Sequence, residues 1–165
     1  MILNRQRGVR VSVRALENFL ARARLALGIP KDALTVALVS DAEIARWNYA
    51  YRGKNRSTDV LSFPADGAHR KQKKPAARGR VSPRTRDRSP RSPASAPPPS
   101  NYLGDIAISP VVALSNSRRF GRTFSAEMRV LILHGMLHLM GYDHETDNGR
   151  MDRRERRLRR ELGLA

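Results

Sequence analysis

The 165-residue chain has no cysteine, so disulfides and thiolate ligands are excluded, a composition that fits a reducing compartment. It is short of acid: 15 Asp and Glu face 32 Lys and Arg, leaving a formal charge of +17. Repulsion on this scale does not help folding and points to a polyanionic partner or a strongly solvated segment. The opening MILNRQRGVRVSVRALENFL lacks a long apolar stretch and a small-residue cleavage site, so neither a secretory signal nor a membrane-spanning helix is predicted. A soluble, cytoplasmic protein is expected. The length predicts one domain over 1–165, with enough chain to bury a sound core.

Histidine is scarce too, with four in the chain, yet His134, His138 and His144 fall within the eleven residues HGMLHLMGYDH. The largely apolar, proline-free run over 124–140 predicts a buried helix, and a spacing of four stacks the first two imidazoles on one face. Gly141 stands where helices commonly end in a left-handed residue, and the chain from there to His144 is long enough to fold a third imidazole back. A buried histidine on its own is more often a satisfied core residue. Three of four converging on one helix end predict a metal site instead, and three neutral imidazoles suit one zinc ion per chain. With no cysteine in the chain and no further histidine nearby, since the fourth is His69, the fourth position is expected to hold water, as in a catalytic site.

Residues 65–100 have no periodic apolar pattern. They hold ten Lys and Arg against Asp66 and Asp87, and seven of the ten prolines, which predicts a disordered basic insertion rich in Arg, Pro and Ser. A second basic run, Arg150 to Arg160, carries seven arginines on a helix-like stretch with Met151, Leu158 and Leu162 near one face. It reads either as an ordinary amphipathic helix with a solvated side or as a phosphate-contacting surface. Elsewhere strands are expected at 1–5, 33–39, 58–63 and 102–109, with Pro64 closing the third. Helices are expected at 11–27, 41–51, 110–118, 124–140 and the C-terminus. The fold class is therefore α+β: a mixed sheet of about four strands covered by about five helices, the histidine-bearing helix buried.

Three segments, YRGKNRSTDVLSFP (Tyr51 to Pro64), LGDIAIS (Leu103 to Ser109) and HGMLHLMGYDH (His134 to His144), resemble in content and order the signature blocks of the YbeY family. The resemblance covers nearly all of the chain outside 65–100; that insertion is much longer than the usual connection. It implies a zinc-dependent, single-strand-specific endoribonuclease that processes the 3′ end of small-subunit (16S) ribosomal RNA and serves in ribosomal RNA quality control. The small ribosomal subunit and its RNA are then the partners. It also implies that His134, His138 and His144 are the metal ligands and that Arg52 is needed for cleavage.

On this reading zinc brings the pKa of its water toward about 7, while the Arg52 guanidinium meets charge developing on phosphorus with paired donors. Two rivals stand beside it. Zinc proteases with this histidine spacing carry a glutamate directly after the first histidine, where this chain has Gly135; Glu127 lies two turns earlier on about the same face and more simply complements the helix N-terminus. The other rival is a non-enzymatic ribosome assembly factor with structural zinc. Asp143 could orient an imidazole and Asp105 could face the cleft, against plainer roles in a turn and on an exposed strand; Thr58 and Asp59 are expected to brace a strand entry.

Overall fold

A computed structural model describes residues 1–65, 101–144 and 146–164. Four strands, β1 (Ile2–Asn4), β2 (Leu34–Leu38), β3 (Val60–Pro64) and β4 (Gly104–Ile108), form one sheet in the order β1-β2-β4-β3. The first three neighbours in that order run parallel, and β3 lies antiparallel on the edge beside β4. Five helices complete the described chain: α1 (Val13–Leu27), α2 (Asp41–Arg52), α3 (Pro110–Arg119), α4 (Phe124–Leu139) and α5 (Arg150–Glu161). The α+β class, the mixed sheet and the element count match the expectation.

Side chains two apart on a strand share a face, and the sheet sorts its residues accordingly. Val36, Leu38, Ile106 and Ile108 pack with Leu16, Phe19 and Leu20 of α1 and with Ile132, Leu133 and Met136 of α4. Val39, Leu61 and Ala107 instead meet Ile44 of α2, with Trp47 and Phe63 alongside. Helices α4 and α2 therefore cover opposite faces. Side-chain caps from Ser12, Ser40, Ser109 and Thr123 start α1 to α4, each accepting from a backbone N–H three residues on.

The third strand differs from its expected bounds: it starts at Val60 and takes in Pro64, which pairs with Gly104. Proline is tolerated there because β3 is an edge strand, where a missing N–H need not break a ladder on its open side. Gly104, at φ +137°, is forced by the same pairing, since a Cβ would lie 2.1 Å from the Phe63 carbonyl oxygen. Pairing reaches the mouth of this hairpin, where Ala65 N–H donates to Leu103 O at 2.9 Å. The basic insertion expected at 65–100 lies, from 66 onward, outside the described residues.

Candidate metal centre

Ten of the sixteen residues of α4 are buried, as an apolar helix laid against both the sheet and α1 must be. Gly135 is the point of closest approach. A Cβ there would meet three side-chain atoms of Ile106 at 2.8, 3.0 and 3.2 Å, and Ser62 Oγ donates to the Gly135 carbonyl at 3.4 Å. The position a zinc protease reserves for its glutamate thus faces the sheet, where even a methyl group would force Ile106 to shift. Glu127 is no substitute. It is buried at the helix start and accepts from Arg122 at 2.9 Å.

The helix stops by a Schellman turn: Gly141 N–H donates to His138 O at 2.9 Å and Tyr142 N–H to Leu137 O at 3.1 Å, with Gly141 left-handed at φ +88°. The same turn brings the Tyr142 carbonyl back over α4, within 3.0 Å of His138 Nδ1. It also returns His144, whose ring centroid lies 5.6 Å from that of His134 and 5.3 Å from that of His138. One ligand atom from each of the three histidines lies within 4.8 Å of the others.

Hydrogen bonding fixes which nitrogens point inward. His134 Nδ1 sits 3.0 Å from Glu155 Oε2, as His138 Nδ1 does from Tyr142 O, and carboxylate and carbonyl oxygens only accept. Each ring therefore donates from Nδ1 and, when neutral, turns a lone pair outward from Nε2. The two Nε2 atoms face each other at 3.0 Å, a separation that two bare lone pairs do not tolerate and that either a shared proton or a metal cation relieves. Zinc bonds of about 2.0–2.1 Å at tetrahedral angles set ligand nitrogens about 3.3 Å apart, so the donor set fits such an ion. Burial, and then the charges of His134 and His144, lower the pKa of His138 to about 4, which keeps that ring in the unprotonated form a metal requires.

Glu155, on the inner face of α5, is the site residue that the sequence reading missed. Burial alone would raise its pKa. The hydrogen bond and charge of His134, joined by Arg159, outweigh burial and hold it below the usual carboxylate value. One carboxylate oxygen serves His134 and the other pairs with Arg159. A cavity of about 360 Å³ opens beside His134 and His144, walled by Met151, Asp152, Glu155, Arg156 and Arg159.

The remaining candidates divide. Asp143 accepts from Thr146 Oγ1 at 3.0 Å and its charge acts on His138, so it combines turn chemistry with a place beside the site. Asp105 is exposed and accepts from the Tyr102 hydroxyl at 2.6 Å. Asp59 accepts from Val60 N–H, Thr58 Oγ1 and Asn116 Nδ2, bracing the entry to β3 as expected. Arg52 is the exposed last residue of α2, before left-handed Gly53; it does not line the cavity, and its helix covers the sheet face opposite α4.

The Endoribonuclease YbeY family profile matches residues 2–163. An endoribonuclease YbeY of Solibacter usitatus is 38% identical over 152 residues, covering 91% of this chain and 79% of that one. One from Koribacter versatilis is 35% identical over 166 residues, with 99% and 86% covered. A solution structure of a Thermotoga maritima protein superposes with a TM-score of 0.57 at 26% identity, over 98% of this chain and 89% of that one. With the family profile matched almost from end to end, the chain belongs to the YbeY family of endoribonucleases and is a hydrolytic nuclease.

Proposed function

We propose that this chain is a zinc-dependent, single-strand-specific endoribonuclease that matures the 3′ end of 16S ribosomal RNA and acts in ribosomal RNA quality control, in the cytoplasm, on the small subunit. The observation that carries the metal-dependent reading is the pair of Nε2 atoms converging at 3.0 Å, each fixed from behind by an acceptor at Nδ1. His134, His138 and His144 hold one zinc, and no other protein ligand stands with them among the described residues. The bound ion supplies Lewis acidity toward a phosphoryl oxygen and makes water a nucleophile near neutral pH. Glu155 holds the His134 ring in one tautomer and orientation, and the Tyr142 carbonyl does the same for His138.

Arg52 is assigned to the charge that builds on phosphorus. It is the exposed last residue of α2, ahead of the edge strand β3, which packs beside α4. The residues form a single hydrolase domain over 1–165, and the basic segment 65–100 is an insertion that tethers RNA without reading its sequence. Peptide hydrolysis is disfavoured by the packing of Gly135 on Ile106.

Zinc-loaded protein, chelator-stripped protein and the Arg52→Lys variant, each incubated with 16S ribosomal RNA and with a denatured protein substrate, test the reading. The loaded protein is expected to cut RNA alone, and stripping should abolish the cut. Arg52→Lys should keep its zinc and melting temperature yet lose most cleavage, because a point charge does not give the bidentate contact. RNA cleavage that survives complete zinc removal would overturn the reading, and a pure assembly role would show as RNA binding without cleavage.

A further inference from the structure

Seven arginines lie along α5, and two of them differ from the rest in where they stand. Arg156 and Arg159 line the cavity that also exposes His134 and His144. They are three residues apart, so they share one side of the helix about 4.5 Å apart along its axis. Glu155 sits between them and the histidines. It pairs Arg159 with one carboxylate oxygen and His134 with the other, so a single side chain sets both the imidazole and the guanidinium on the same cavity wall.

The two guanidinium groups have donors to spare. Arg159 uses one nitrogen on Glu155 with its side chain 26% exposed, and Arg156 uses one on Asp152 at 2.6 Å with its side chain 62% exposed. A guanidinium carries five N–H groups in a planar fork that matches a phosphate's oxygens. Arg157, by contrast, pairs with Glu161 on the exposed side and is not part of the cavity wall. Sequence alone leaves the arginine run divided between a solvated face and a phosphate-contacting one. The cavity assigns the two roles to different arginines of the same helix.

We propose that Arg156 and Arg159 form a phosphate clamp, gripping the phosphodiester of single-stranded RNA that enters the cavity beside His134 and His144. The proposal rests on the nuclease reading for the identity of the ligand. It places these arginines in substrate binding, with Arg159 positioned by Glu155, and leaves Arg157 as a charge-matched control on the same helix.

The test uses the full zinc-loaded chain and a fluorescein-labelled, 2′-O-methyl single-stranded RNA oligonucleotide, with affinity read by anisotropy across a salt series. Arg156→Ala is expected to weaken binding about tenfold, the size of a lost charge-assisted contact, and to flatten the log–log salt slope by about 0.7, the single-strand value for one phosphate. Arg159→Lys, which keeps the charge opposite Glu155, should weaken binding several-fold through loss of the fork. Arg157→Ala should stay within about twofold of the parent, and zinc content and melting temperature should be unchanged in Arg156→Ala. Equal losses in Arg156→Ala and Arg157→Ala would reduce the effect to general charge and overturn the clamp, as would an unaltered affinity in Arg156→Ala. Because the readout is binding, it decides the clamp even if the parent protein cleaves nothing, whereas cleavage by the parent with equal arginine variants removes the clamp and leaves the nuclease standing. A parent that fails to bind the oligonucleotide overturns both.

Discussion

Helices α4 and α5 supply the two sides of the candidate metal centre and are held by opposite means. In α4 ten of sixteen residues are buried, so the sheet and α1 grip it from several directions. In α5 only Met151, Glu155 and Leu158 of twelve residues are buried, and the rest of the helix is largely arginine and acid facing water. Packing therefore fixes where His134 and His138 point. The position of α5 depends instead on a narrow apolar stripe and on the bond from Glu155 to His134, at 3.0 Å. A ligand-bearing helix gains from that rigidity, because metal geometry tolerates little displacement. The proposed phosphate clamp gains from an open polar face on α5.

The comparison breaks first at the ligands. His138→Ala removes the imidazole that the Tyr142 carbonyl holds from behind and whose Nε2 faces that of His134 at 3.0 Å. The expected outcome is loss of stoichiometric zinc, with RNA cleavage lost alongside. Elemental analysis of the purified variant checks it. One zinc per chain in that protein would remove His138 from the site.

Glu155 comes next, where the two helices join. Glu155→Leu strips His134 Nδ1 of its acceptor and leaves Arg159 beside an apolar side chain. Partners of this kind are typically worth about 10- to 100-fold in metal affinity. Glu155→Gln should retain more, since the amide oxygen still accepts from His134 Nδ1. Zinc dissociation constants measured by chelator competition distinguish the cases. A Leu variant that binds zinc as tightly as the parent would show that α5 borders the site without shaping it.

This joint also marks the limit of what the sequence discloses. The three histidines and Gly141 were legible because helical spacing and a left-handed helix end are local properties, and the structure brings all three imidazoles together. The sheet was legible from its β-branched runs; the third strand's bounds shifted because edge position, which decides what Pro64 does, depends on a neighbour far along the chain. Glu155 was hidden by its surroundings, as one acid in an arginine-rich run reads as a solvated charge. The available signal was its spacing: Met151, Glu155 and Leu158 fall at i, i+4 and i+7, which places a carboxylate on the buried stripe. Gly135 was legible as the absence of a protease base, but its reason, the contact with Ile106, is tertiary.

The smallest expected effect sharpens the comparison from the α4 side. Gly135→Ala adds one methyl group, which on an exposed helix would gain up to about 1 kcal/mol from propensity alone. Here that methyl meets three side-chain atoms of Ile106 at 2.8 to 3.2 Å, and Ile106 is fully buried. Overpacking of this kind costs about 1–3 kcal/mol, so the net loss should be roughly 0–3 kcal/mol. A thermal melt of the metal-free protein reads it as a fall of a few degrees. Zinc affinity should change little if α4 yields as a unit, and should fall if the helix rotates to relieve the contact, since one face carries both His134 and His138. A Gly135→Ala protein more stable than its parent would mean that α4 is not seated against β4 at this point, and the packing argument against a protease base would go with it.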